Sequence, residues 1–391
     1  MAFAPAEPTN AVSGSIPDKL MGLEALRFTA AFAVLVWHYH HFYYTGTTLS
    51  GFVIEDQPFY SVLAPFYIDG RWGVHVFWCV SGFIFAWKYM APLGAGEIPL
   101  LRFAILRISR LYPLHCLTLA AVAILQAAYF RDHGAFFNFP ENDLKHFVLN
   151  LFFASYWGFQ DGFSFNGPSW SVSAEIPVYF VFFFWCLLVG KRIWLATPLA
   201  FGAFLLIAIL LRVWPRSAVL LAADFFYLGV LTCLLYTLIS AQTRGVRMAS
   251  CWIVFTVALL LLLATGLGWM DIEQSGHAMF PAMVLLFQLA IPAGNARVND
   301  WLTIVGNMTY ASYLLQFPVQ LVVVQMIDRI GLKIVDVRGT QSFFVAYVLT
   351  VFALSRIAFI AFERPAQIAL RRSLFRLPII AGQRRTVPTT V

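Results

Sequence analysis

The sequence predicts an all-α polytopic membrane protein with about ten transmembrane helices and both termini in the cytoplasm. Three observations carry this reading. Of the 391 residues, 60% are hydrophobic and 12% charged, against about 45–50% and about 25% in a soluble domain. A soluble chain of this length leaves roughly a quarter of its unfolded-state surface in water, far more than so few polar residues can cover. The apolar stretches also run unbroken instead of alternating every second residue, which argues against a barrel. Third, the basic residues are one-sided, as described below.

Apolar runs bounded by charge or by Pro and Gly place the spans at 23–44, 72–92, 111–130, 169–190, 193–212, 218–240, 249–269, 277–293, 301–326 and 340–362. The stretch at 146–157 is too short to cross and reads as re-entrant or interfacial. This divides the chain into a polar tail over 1–19, a transmembrane domain over 20–365 and a basic tail over 366–391. With these spans, Lys19, Arg27, Lys88, Arg102, Arg107, Arg110, Lys191, Arg192, Arg244, Arg247, Arg297, Arg364 and the basic tail with Arg371, Arg372, Arg376, Arg384 and Arg385 fall on one face. Arg71, Arg131, Lys145, Arg212, Arg216, Arg329, Lys333 and Arg338 fall on the other. The first face carries roughly twice as many cations and is therefore assigned to the cytoplasm. That assignment accounts for the net charge of +7 without nucleic acid. The run Ala369-Leu-Arg-Arg-Ser-Leu-Phe-Arg-Leu suits a short helix on anionic lipid and serves as a topology anchor. Cys79, Cys116, Cys186, Cys233 and Cys251 have neither C-x-x-C nor Cys/His spacing, so no disulfide framework and no metal site is expected. Residues 1–20 hold no apolar core of a signal peptide.

Polar groups inside spans cost at least about 2.5–3.5 kcal/mol at mid-bilayer unless they are paired or face a cavity. In the first span, Arg27 and His38 are eleven residues apart, almost three turns and about 16.5 Å of rise, so they share one helix face at different depths. His40 and His41, with Tyr39 and Phe42, read as the outer aromatic belt. In the second span, Ser81-Gly82 permits close approach of a helix or a ligand. Ahead of the third, Arg107 and Arg110 lie at i, i+3 and suit either a phosphate-bearing ligand or positive-inside topology. The fourth opens Pro168-Ser169-Trp170-Ser171-Val172-Ser173-Ala174-Glu175, with Ser171 and Glu175 on one face. Pro177 cannot donate to the Ser173 carbonyl, which leaves a free acceptor beside Glu175. Arg356 lies inside the last span.

Taken together, these segments resemble the acyltransferase 3 family of membrane O-acyltransferases over about residues 20 to 365. The residues are the Arg-x10-His of Arg27 and His38, the Phe-rich stretch Phe77 to Gly82, and the basic segment with Arg107, Arg110 and Pro113. They continue with Pro168 to Glu175, the run Gly306-Asn-Met-Thr-Tyr310-Ala-Ser312-Tyr313-Leu-Leu-Gln316-Phe-Pro318, and Glu363-Arg-Pro365. Gln316 stands where the family often has His, Leu106 replaces the first arginine of a common pair, and Thr309 replaces a serine. Some members carry an appended esterase-like domain; here transfer is expected within the membrane domain or through a partner protein.

The resemblance implies acyl-CoA, acetyl-CoA above all, as co-substrate with no bound cofactor. It further implies a glycan hydroxyl as acceptor, membrane lipid as surroundings, and the bacterial cytoplasmic (inner) membrane as location. On this reading His38 is the general base, and Glu175 orients it. Arg27 holds the donor or the oxyanion, Arg107 and Arg110 receive the phosphates, and Ser81, Trp170, Ser171 and Tyr313 line the route. The competing class is a proton-coupled transporter or flippase in which Arg27, His38, Glu175 and Arg356 form a pathway. The Phe-, Tyr-, Asn- and Asp-rich segments 45–70 and 131–166 suit carbohydrate, although ordinary interfacial aromatics account for them equally simply.

Overall fold

The structure, a computed structural model, describes residues 20–210, 217–291 and 296–376. The 1–19 tail, the ends of the fifth and eighth expected spans, Arg212, Arg216 and the last part of the basic tail, with Arg384 and Arg385, lie outside the described residues. Among the described residues ten helices lie in the expected stretches: α1 Met21–Trp37, α2 Gly73–Phe85, α3 Leu100–His133, α4 Trp170–Val189, α5 Ile193–Leu210, α6 Ala218–Ser240, α7 Arg244–Gly266, α8 Ile272–Ala290, α9 Ala296–Arg329 and α10 Gln341–Ala358. Seven helical stretches among the described residues are long and apolar enough by themselves to cross a membrane: those built on α2, α3, α4, α6, α7, α9 and α10. The α1 helix has 17 residues but continues as a 3-10 helix over His38–Tyr43. The two together rise about 37 Å, more than a hydrocarbon core. Two π-helical turns, Ala86–Met90 and Phe359–Glu363, carry α2 and α10 on into further helix. The only strands among the described residues are the two-residue pair Tyr44–Thr45 and Thr48–Leu49.

Burial sorts the helices into a core and a lipid-facing rim. One apolar cluster gathers Trp78, Phe83 and Phe85 of α2 with Phe182 of α4 and Phe225 and Phe226 of α6; a second gathers Leu35, Phe317 and Tyr347 from α1, α9 and α10. By contrast α7 has no buried residue and presents Trp252, Ile253, Leu260 and Leu262 outward, as a helix solvated by lipid must.

The Ser-Gly of α2 serves close packing. A Cβ at Gly82 would stand 1.8 Å from the Phe226 carbonyl oxygen, and one at Gly229 would stand 1.8 Å from that of Cys79. The α2 and α6 backbones therefore meet through two opposed glycines. Gly82→Ala forces them apart and should cost about 3 kcal/mol or more, since backbone cannot yield as a side chain does. The check is a thermal melt in detergent, and an unchanged midpoint would refute the contact.

Two prolines expose backbone carbonyls, and the 152–166 segment fills both. Trp157 Nε1 donates to the Ser173 oxygen left free by Pro177, at 2.8 Å. Asn166 Nδ2 donates to the Leu314 oxygen left free by Pro318, at 2.9 Å. The acceptor expected beside Glu175 is thus occupied by an indole. The helix in the 146–157 stretch is short, Leu144–Leu151, capped by Asp143, whose carboxylate accepts from His146 N at 2.8 Å.

Candidate functional site

The α1 and α9 helices run in the same direction and meet along one stripe. At one end Arg27 donates to Glu24 at 3.2 Å and to the Thr309 hydroxyl at 2.9 Å. The Glu24 carboxylate occupies the space a Cβ at Gly306 would fill, 1.8 Å from its Oε2. Thr309 thus supplies the hydroxyl that a serine would. The next residue, Tyr310, donates to the Leu111 carbonyl at 2.7 Å, fixing α9 to α3. Next, the Tyr313 and Ser171 hydroxyls are 2.7 Å apart, joining α9 to α4. At the far end Gln316 meets His38 and Gln320 meets His41.

Two cavities open along this stripe. The first, of about 120 Å³, holds Arg27, Arg107, Arg110, Ser81, Ser171, Glu175 and Tyr313. Arg107 lies over the Phe85 and Tyr89 rings, 4.8 and 4.6 Å from their centroids, donates to the Tyr89 hydroxyl and keeps Nε unpaired. Arg110 makes no hydrogen bond or salt bridge among the described residues, and Glu175 Oε1 is buried without a partner. Unspent donors on a confined pair of guanidiniums suit an anion. From outside, Arg371, on the helix Arg364–Leu374 that continues α10, donates to Ser109 on α3 at 3.0 Å.

The second cavity, of about 520 Å³, holds His38, His40, His41, Trp37, Trp72, His75, Asn138, Phe139, Phe163 and Trp170. The cavities adjoin where Trp78 of the first and Trp170 of the second stack edge-on, centroids 5.7 Å apart, with Trp78 Nε1 donating to the Ser171 carbonyl at 3.3 Å.

The tautomer of His38 follows from its neighbours. Gln316 Nε2 donates to the Tyr313 carbonyl at 3.0 Å, so its amide oxygen must be the atom 3.2 Å from His38 Nδ1. An amide oxygen only accepts; Nδ1 therefore carries the proton, and Nε2 presents a lone pair to the second cavity. The model of the acyltransferase 3 family, described as an acyltransferase domain, matches residues 21–360. The chain belongs to the acyltransferase 3 family. No curated protein and no solved structure matches it significantly. It is a multi-pass membrane acyltransferase.

In this acyltransferase the expected site residues divide between the cavities: Arg27, Ser81, Arg107, Arg110, Ser171, Glu175 and Tyr313 line the first, His38 and Trp170 the second. His38 and Glu175 are not hydrogen-bonded to each other, and α4 is not among the helices packed along α1. The group holding His38 Nδ1 is Gln316, not a carboxylate. Arg356 is half-buried and lines neither cavity. His41, Tyr39 and Phe42, expected in an interfacial belt, are buried in the protein, because the 3-10 turn that carries them folds in under α9 and α10. Within the 131–166 segment Phe137 and Phe165 are core, while Phe139 and Phe163 face the second cavity. Sequence reasoning passed over Asp224, a carboxylate in mid-span that accepts from His277 Nε2 at 2.8 Å. The test applied to Glu175, a charge inside an apolar run, would have found it.

Proposed function

We propose that the protein is an O-acyltransferase moving an acyl group, most simply acetyl, from cytoplasmic acyl-CoA to a hydroxyl of an exported or cell-surface glycan. In this reading the chain crosses the bacterial inner membrane ten times with cytoplasmic termini, so that the arginine cavity faces the cytoplasm and the histidine cavity the other side; the one-sided excess of basic residues supports it. The observation that carries this reading is the pairing of an arginine-lined cavity with a histidine-lined one across the Trp78–Trp170 contact. About 120 Å³ admits the slim thioester end of the donor and no nucleotide, since sites for drug-sized ligands span about 300–1,000 Å³. The phosphates then stay at the mouth with Arg107 and Arg110. Arg27 is about 16 Å of helix rise from His38, so it acts on the donor and not on the oxyanion, with Glu175 as counter-charge among the arginines.

In the transfer step His38 Nε2 takes the acceptor hydroxyl proton as the oxygen adds to the thioester carbon. Collapse of the tetrahedral adduct breaks the C–S bond, and the thiolate receives that proton from the imidazolium. Gln316 keeps the ring in the tautomer the first half needs.

The test supplies labelled acetyl-CoA to inside-out vesicles and follows label into glycan esters. Ester formation is expected, and release of free CoA without ester would replace transfer by hydrolysis. Arg110→Gln should raise the KM for acetyl-CoA about tenfold or more, the loss of one charge-assisted contact, with little change in kcat. A fall in kcat at unchanged KM would remove Arg110 from the donor site.

A further inference from the structure

His38 has a counterpart one turn away. Gln320 Nε2 donates to the His38 carbonyl at 2.9 Å, so its amide oxygen is the atom 3.0 Å from His41 Nδ1. By the argument that applies to Gln316, His41 carries its proton on Nδ1 and offers Nε2 as a lone pair. The two Gln–His pairs repeat on successive turns of α9, and the two imidazole centroids are 4.8 Å apart. Both histidines are more than nine-tenths buried, and both line the larger cavity. Their Nε2 atoms have no protein partner, yet they are not sealed off as both unpaired nitrogens of His75 are. His40 shares the tautomer, its Nδ1 donating to the Trp37 carbonyl of its own turn at 2.6 Å, and its centroid is 4.6 Å from that of His41. It is only half-buried, however, and its centroid is 6.4 Å from that of His38, so the ring next to the reacting nitrogen on the α9 side is His41.

Two adjacent acceptors of fixed tautomer require two adjacent donors. A metal would need three converging ligand atoms. Among the described residues only Glu141, His146 and Asp161 provide such a group, and His146 already spends its nitrogens on Asp143 and on the Asp161 N–H. A cationic donor would need unmatched negative charge. Here Arg71 offsets Glu273, and His277 is paired with Asp224. Neutral hydroxyls remain, and the ring walls of Trp37, Phe139 and Trp170 suit the apolar face of a six-membered ring.

We propose that His41 is a second acceptor-binding residue, and that the site takes a vicinal diol, with one hydroxyl donating to His38 Nε2 and its neighbour to His41 Nε2. This rests on the reading of the larger cavity as the acceptor site. The acylated hydroxyl is the one on His38; its neighbour selects the substrate and keeps its proton.

The experiment measures binding of cis-1,2-cyclohexanediol and of cyclohexanol to the full chain in lipid nanodiscs, by the fluorescence of the tryptophans lining the cavity. Acetyl transfer from labelled acetyl-CoA is followed in the same preparations. The diol should bind about tenfold more tightly than the monool, the value of one further hydrogen bond. His41→Phe should bring the diol down to the monool's affinity and leave the monool unchanged, while His41→Gln, which restores an acceptor oxygen, should recover part of the preference. If His41→Phe fails to fold, Gln320→Leu, which frees the His41 ring, should halve the diol preference or better. No diol preference in the unaltered protein, or one that survives His41→Phe, overturns the proposal even if acetyl transfer proceeds. Diol binding that depends on His41 in a protein that transfers no acetyl group sustains the diol site and overturns the acyl-transfer reading instead.

Discussion

His38→Ala should reduce acyl transfer by about 10²–10⁴-fold, the usual share of a positioned general base, while the protein remains folded and inserted. The imidazole packs between Trp37 and His41, centroids 4.8 Å from each, and its removal leaves a small hole at a cavity wall that is already open. Little of the fold depends on it. The arginine-lined cavity proposed to take the donor does not include His38, so the KM for acyl-CoA should hold while kcat falls. A variant that keeps a tenth of the wild-type kcat, assayed with labelled acyl-CoA in vesicles, would remove His38 from the centre of the mechanism.

Gln316→Leu should lower kcat by about 10–100-fold, the typical cost of losing a group that fixes a histidine's tautomer and orientation. The leucine fills the volume, but the Tyr313 carbonyl loses its side-chain donor and His38 Nδ1 its acceptor. The ring is then free to place its proton on Nε2, where it cannot accept from the substrate. Gln316→His restores an acceptor at the same reach, and it is the residue the family often carries here; most of the activity should return. The two variants separate tautomer control from packing, because a merely structural glutamine would be replaced better by leucine than by histidine. Wild-type kcat in Gln316→Leu would refute the assignment.

Much of the fold was legible because lipid leaves the chain few choices. Apolar runs long enough to cross a bilayer must be helical to satisfy their backbone, and among the described residues each expected stretch carries helix, seven of these stretches being long and apolar enough by themselves to cross. Candidate site residues stand out for the same reason: Arg27, His38 and Glu175 lie where polar groups are costly. Their partners do not stand out. The spacing of Gln316 and Gln320 puts both amides on one face of α9, but nothing in the sequence says which helix that face meets. Likewise Trp157 and Asn166 give no sign that they fill the carbonyls freed by Pro177 and Pro318. Asp224 was visible in its apolar run and was passed over; its partner, 53 residues on, was not visible.

The sequence by itself determined that this is a helical membrane protein, where its helices lie, and which family it belongs to, because hydropathy and motif order are local properties of the chain. Tertiary structure alone decided how the polar groups are shared out. It sent Glu175 to the arginine cavity, gave His38 an amide in place of a carboxylate, and drew His41 in from the expected interface. Those outcomes depend on which faces of α1, α4 and α9 meet, and helix-to-helix contact in lipid is set by close packing and hydrogen-bond satisfaction, with no one-dimensional pattern to announce it.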